Sequence, residues 1–231
     1  MLNYAKCIAV CCVLIVADAM PAFAGDSSAV ALVTKTIQVV SRKTPATEWS
    51  KAAKGDPLAS GDQVQTGVKS LAVVKFIDNS IVRVREQSEL TITGESSSPR
   101  SLSKEVRMSK GVLGFDVKKQ KQNEQFRFTS PTSVASIRGT KGKRSCGVNG
   151  DTLLTLEGLV NLLNNISNKD LDIPAGWIGF CYPDGSISSR KATEDELNDA
   201  LNLVNGAAND FKIELQDSKG NKKDLRIKNK Q

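Results

Sequence analysis

The sequence contains no histidine in its 231 residues. Ser-His-Asp and Cys-His nucleophile systems, histidine general bases and histidine-ligated zinc are therefore excluded, which removes the commonest routes to hydrolysis. A Ser-Lys arrangement survives formally, because Ser101-Leu102-Ser103-Lys104 and Ser188-Ser189-Arg190-Lys191 both fit S-x-x-K. Neither copy has the companion S-D-N and K-T-G motifs and both lie in polar, loop-like sequence, so they are read as chance matches. G-x-G-x-x-G and P-loop patterns are missing as well, which leaves no nucleotide cradle. No catalytic residue, metal or cofactor is assigned, and the chain is read as a non-enzyme.

Long apolar runs are confined to the start. In residues 1–24, Lys6 supplies a positive end, residues 7–16 an apolar run, and Ala22-Phe23-Ala24 an A-x-A site before Gly25. That is the pattern of a secretory signal peptide. The run is shorter than the ~20 residues that span a bilayer, and Cys11 and Cys12 sit inside it rather than at a lipidation position. Cleavage before Gly25, no lipid anchor, no integral membrane segment in the processed chain and a periplasmic or extracellular location are expected.

Cysteine is scarce. Three of the five leave with the leader, and the remaining pair, Cys146 and Cys181, predicts one disulfide in an exported chain. Two thiols without histidine make a poor metal site. Acidic residues are outnumbered: removal of Lys6 and Asp18 leaves 32 − 1 = 31 basic against 25 − 1 = 24 acidic residues, a net charge of +7. Such an excess governs solubility and encounter rather than fold, and no nucleic-acid partner is read from it.

What is present is β-patterned. Residues 61–92 alternate: Ala72, Val74 and Phe76 share one face, Val82 and Val84 recur at period two, and Asp78-Asn79 forms the tight turn of a hairpin between them. Shorter strands flank this hairpin around Val64 and from Leu90. Residues 30–40 read as one strand. Trp49 lies in a proline-containing loop that is expected to fold back over the sheet. Residues 94–103, with Ser96-Ser97-Ser98-Pro99, are the clearest loop, followed by separate strands at 106–108 and 111–117, a charged connector at 118–124 and a strand at 126–129.

At Thr129-Ser130-Pro131-Thr132-Ser133-Val134-Ala135-Ser136-Ile137-Arg138-Gly139-Thr140 the chain resembles the "TP-x-a-x-a-x-vRGT" signature of the FecR-domain family. Glu157-Gly158-Leu159-Val160 resembles its E-G-x-V turn, Gly61-Asp62-Gln63-Val64-Gln65-Thr66-Gly67 its GD-x-v-x-TG, and Phe76-Ile77-Asp78-Asn79-Ser80 its F-x-DGS turn. The resemblance covers about residues 30–185. It implies structural roles for Gly61, Asp62, Thr66, Gly67, Asp78, Asn79, Pro131, Arg138, Gly139, Thr140, Glu157 and Gly158. Arg138 is expected to cap carbonyls or pair with Asp116 or Glu157. The chain departs from the family at Thr140-Lys141-Gly142-Lys143-Arg144-Ser145-Cys146, a basic run where an apolar strand is usual.

Beyond the family stretch, Thr193-Glu194-Asp195-Glu196 is a capping box, and Leu197, Ala200, Leu201, Val204 and Ala208 make one apolar face of a helix over about 194–208. A terminal hairpin with a lysine-rich outer face follows. The expected architecture is all-β, an antiparallel meander, sandwich-like or roll-like, with a signal peptide at 1–24, the FecR-like domain at 25–192 and a helix plus basic hairpin tail at 193–231. Lys141, Lys143, Arg144, Lys222, Lys223 and Arg226 are the candidate binding residues. The resemblance implies a protein-binding module in envelope signalling or assembly, whose partner is an envelope protein; a cell-wall glycan-binding or structural role is the alternative.

Overall fold

In the computed structural model, residues 29–98, 101–206, 211–216 and 222–227 are described, so the leader read at residues 1–24 lies outside them. The chain zigzags between two β-layers, each leg starting in one and finishing in the other. β1 (Ala31–Ile37) lies in the first layer and β2 (Val40–Lys43) in the second. The two-residue strands β3 (Ser50–Lys51) and β4 (Pro57–Leu58) border the layers. The chain returns as β5 (Gln63–Thr66) and β6 (Leu71–Phe76), then goes back as β7 (Ile81–Val84) and β8 (Glu89–Ser98). β9 (Ser101–Asp116) spans both layers alone: Lys110 and the residues before it pair with β8, and Leu113 to Asp116 with β7.

The second half repeats the pattern. β10 (Gln125–Thr129) and β11 (Ser133–Ile137) lie in the second layer, β12 (Lys141–Gly147) and β13 (Gly150–Glu157) in the first, β14 (Leu159–Asn164) and β15 (Asp170–Pro174) in the second, and β16 (Trp177–Cys181) and β17 (Ile187–Lys191) in the first. Every neighbour is antiparallel except β9 and β10, which run parallel. Helix α1 (Glu194–Asn205) follows, and β18 (Phe211–Gln216) and β19 (Lys222–Ile227) pair with each other. Among the described residues no helix is long and apolar enough to cross a membrane.

A strand that changes layers must break its ladder, and a left-handed residue does so. One sits at seven of the crossings, Gln38, Lys69, Gln87, Gly111, Gly139, Gly158 and Gly176, with φ between 52° and 109°, whereas the longer connection from β9 to β10 through residues 117–124 has none. Gly111 also needs its missing side chain, because a Cβ there would lie 2.4 Å from Ser88 Cα. The family glycines Gly139 and Gly158 are thus corners. The inward faces meet in one core, in which Phe76 of the first layer packs edge-on against Phe126 of the second with centroids 5.0 Å apart, and Phe115 meets Phe128 at 4.9 Å.

The all-β reading holds, with local corrections. The strand expected over 30–40 is two, divided by Gln38 at φ 58°. The loop expected over 94–103 is strand up to Ser98 and again from Ser101, since pairing between β8 and β9 overrides the serine-rich composition. The strands expected at 106–108 and 111–117 are one. The hairpin turn is a three-residue loop, Ile77-Asp78-Asn79, closed by Phe76 N–H to Ser80 O (2.8 Å) with Asn79 left-handed at φ 65°. Trp49 does not cover the sheet; it is 37% exposed, with Lys43 Nζ 5.6 Å above its ring. The basic run is a strand, β12, with a register shift against β13 between Lys141 and Gly142, and its inward positions are Gly142, Arg144 and Cys146.

Thr193 caps α1 through the expected capping box, and Gly206 ends it in left-handed geometry. The helix lies on the outer face of the first layer through Ala200, Leu203 and Val204. Leu201, read as part of the apolar face, is 42% exposed, and Ala208 lies outside the described residues.

Candidate functional site

The parallel pair opens a seam. β9 and β10 are in register from Ser103–Gln125 to Arg107–Thr129, and no further. Beyond that point β9 continues into the first layer, while the chain leaving β10 turns through Ser130 and Pro131 into β11. The divergence leaves an open cleft of about 560 Å³, lined by Gln63, Glu89, Thr91, Glu105, Arg107 and Asn165, with Met108 and Ser130 at its inner end. Glu105 accepts from Thr129 Oγ1 (2.7 Å) and Arg107 Nη2 (3.1 Å), and Asn165 Nδ2 donates to the Ser130 carbonyl (3.1 Å).

Behind Ser130 lies a buried polar hub. Arg144 is fully buried; its Nη2 donates to Ser133 Oγ (2.8 Å) and Ser133 O (3.2 Å) and stands 3.5 Å from Asp151 Oδ2. Asp151 also accepts from Ser133 Oγ (2.6 Å) and from Ser130 Oγ. Arg144 Nε and Nη1 find no partner among the described residues. The hub therefore pins the Thr129–Thr132 stretch of the family signature, and with it one wall of the cleft, to β12 and β13. Arg144, read as a surface binding residue, is a core residue instead. In a strand of period two, Lys141 and Lys143 face out only if Arg144 faces in.

Cys146 and Cys181 are both free and buried. Cys146 pairs with Asp151 on one side of β13 and Cys181 pairs with Asp151 on the other. Two strand spacings, roughly 9.5 Å, separate their backbones, whereas a disulfide needs Cα atoms within about 7 Å. The expected disulfide is thus overturned by register. Burial, opposed by the nearby Arg144, pushes both thiols up to about 11, so they stay protonated at neutral pH.

A second buried ion pair holds the β6–β7 turn. Lys104, with a fully buried side chain, reaches Asp78 at 2.7 Å, and Gln120 Nε2 donates to the same carboxylate at 2.9 Å. Burial pushes the Asp78 pKa up, but the hydrogen bonds from Lys104, Gln120 and the Ser80 N–H outweigh it and hold the carboxyl below its ordinary range. Asp62 and Thr66 are likewise buried linkers: Asp62 accepts from the Ala59 N–H (3.0 Å), and Thr66 Oγ1 from the Ser88 N–H (3.0 Å). Thr140 is buried as well, and Gly61 lies in the left-handed region at φ 92°. Gly67 N–H donates to the Val39 carbonyl at the first corner.

Arg138 departs from its expected role. It is exposed and makes no ion pair among the described residues: Asp116 holds Lys118 (3.2 Å) and Glu157 holds Lys141 (2.9 Å). Lys143 is engaged by Asp199 of α1 at 2.6 Å, with Arg85 on the same carboxylate at 2.9 Å. Two of the basic run's charges are thus neutralised at the surface and the third in the core. Lys222, Lys223 and Arg226 lie in β19, of which only the strand pairing is described. Sequence reasoning missed Lys104, Asp151, Ser130 and Ser133; a lysine at an inward position of an alternating strand, flanked by Val106 and Met108, was the one available signal.

Two layers share β9, and left-handed residues, Gly139 and Gly158 among them, turn the chain from one to the other. Residues 62–161 match the family model described as FecR protein. Two solved structures are similar to the chain, and the first of them shares its fold. Both are crystal structures of an anti-sigma-factor candidate from Parabacteroides distasonis, each matching 59% of this chain and 62% of its own, one at 12% identity and TM-score 0.50, the other at 11% and 0.49. The chain thus spans less than two thirds of their length. No curated protein matches it.

Proposed function

We propose that this chain is an exported, non-catalytic FecR-type module that binds a protein partner in cell-envelope signalling or assembly. The observation that carries the reading is the match of residues 62–161 to the FecR family model, together with the description of a structural neighbour as an anti-sigma-factor candidate. Export rests on the leader pattern of residues 1–24. The absence of chemistry rests on side-chain placement: both thiols are buried and held protonated, buried Arg144 is paired with buried Asp151, and buried Lys104 with half-buried Asp78. Such groups join layers rather than meet a substrate.

The test is site-specific photocrosslinking in the native host, with the reactive residue at exposed positions Arg138, Val148 or Leu159. The expected result is a discrete adduct with one envelope protein, formed at some of these positions and absent at buried Val74. Adducts at none of them, or a chain that stays in the cytoplasm with residues 1–24 attached, would refute the reading.

A further inference from the structure

We infer that the cleft at the β9–β10 seam is a binding site for a neutral, hydroxyl-rich oligosaccharide, a second site independent of any protein contact. The lining decides the chemistry. Met108 and Pro131 are its apolar members, too few to hold an apolar ligand. Glu89 and Glu105 are each matched by a cation, Lys110 at 4.0 Å and Arg107 at 3.1 Å, so the cleft carries no net positive charge to draw an anion. Strand addition is unavailable here, since β8 is paired on both sides by β5 and β9, and β9 by β8 and β10 up to Arg107.

What remains is a set of planar polar groups whose bonding capacity is unspent. Among the described residues, the Gln63 amide and the Thr91 hydroxyl make no side-chain hydrogen bond, and Glu89 meets only Lys110 at 4.0 Å, beyond hydrogen-bond range. Asn165 uses its Nδ2 on the Ser130 and Pro131 carbonyls and leaves Oδ1 open. Carboxylates and amides can bridge two neighbouring hydroxyls, accepting from one and, for the amides, donating to the other. The groups are spread over β5, β8 and β9 on one rigid sheet face, so their spacing is set by strand geometry rather than by loop motion. The wall opposite is fixed from behind by Ser130, which is 8% exposed and bonded to Asp151 and Arg144. A volume of about 560 Å³ is in the range of small-molecule sites, and a sugar chain would lie along the open trough.

The test is calorimetric titration of the folded chain with maltotetraose, mannotetraose and the tetramer of N-acetylglucosamine. At least one is expected to bind at about millimolar Kd or tighter, with little dependence on salt, because no ion pair is formed. Gln63→Ala with Glu89→Ala should weaken that binding by about tenfold or more while the melting temperature is retained. Should the pair fail to fold, Thr91→Ala is expected to weaken binding in the same direction. Binding of none of the three sugars, or binding unchanged in a folded variant, would overturn the inference. Photocrosslinking to a protein at Arg138, Val148 or Leu159 is unaffected by either result.

Discussion

Cys146 and Cys181 face each other across Asp151, one on each strand that borders β13, and are separated by two strand spacings. The arrangement sets an even pair of cysteines, in a chain whose first 24 residues read as an export leader, against its usual outcome. Titration of unfolded, unreduced protein with a thiol reagent is expected to find two reactive thiols among the residues after the leader. Because both groups titrate at about 11 in the fold, the native protein should react slowly at neutral pH. A titre of zero after unfolding would show that the strands do not hold this register.

The same centre predicts an asymmetry. Arg144→Ala leaves Asp151 charged and unpaired in the core, and Asp151→Ala strands a guanidinium that already has two nitrogens unpartnered among the described residues. Each single change should cost about 3–5 kcal/mol in urea unfolding. Joint replacement by Met and Leu should recover most of the loss, since a well-packed apolar pair is often neutral relative to a buried ion pair. Equal losses in the single and double variants would mean that the hub contributes more than mutual neutralisation. Arg144→Glu, which a surface residue would tolerate, is expected to abolish folding.

Much of this was legible and some was not, for physical reasons. Alternation at Val74, Phe76, Val82 and Val84 identified the first hairpin, because a strand with one buried face must repeat at two. The family glycines marked the corners Gly139 and Gly158. Gln38, Lys69 and Gln87 occupy equivalent corners, yet their side chains carry no signal of left-handed backbone, so residues 30–40 read as one strand. β12 was opaque because its inward residue is charged. Arg144 looks like the middle of a basic cluster until Asp151, seven residues on and across the hairpin, supplies the counter-charge. The seam cleft was invisible: it arises where two parallel strands part, and nothing in residues 103–131 announces that they pair.

The turn anchored by Asp78 predicts a pH dependence. Its folded pKa is depressed, so the Asp78 contribution to stability is present above the unfolded carboxylate value of about 3.9 and is lost as pH falls through the lower folded value. Unfolding free energies measured from pH 7 to pH 3 should fall less steeply in Asp78→Asn than in the parent, and that variant should be less stable at pH 7. Lys104→Met, which leaves Asp78 half-buried without its cation, should flatten the same limb. A parent slope unchanged by either substitution would contradict the pairing.

Corner geometry predicts which glycines can be replaced. A Cβ at Gly158 would meet Thr140 Cγ2 at 2.5 Å, whereas one at Gly55 would meet nothing within 4 Å, although both residues have positive φ. Gly55→Ala should therefore cost only the left-handed penalty, about 1–2 kcal/mol. Gly158→Ala should cost more, because the clash adds to that penalty. Equal thermal shifts for the two would show that the corner packing is loose.

Helix α1 tests whether packing or charge holds the tail on the roll. Asp199 joins Arg85 at 2.9 Å and Lys143 at 2.6 Å, but its side chain is 39% exposed, as is typical of surface pairs. Such pairs contribute about 0.2–1 kcal/mol each and weaken with salt. Leu203, by contrast, is 5% exposed and seats on Gly114, where a Cβ would lie 2.6 Å from its Cγ. Truncating a buried leucine costs about 2–5 kcal/mol, and Gly114→Val would push the helix off the same spot. Asp199→Ala is therefore expected to leave amide-exchange protection over 194–205 nearly intact at moderate salt, while Leu203→Ala or Gly114→Val should remove it. The opposite ranking, with Asp199→Ala alone releasing the helix, would mean that the carboxylate clamp holds α1 and that the apolar contact follows from it.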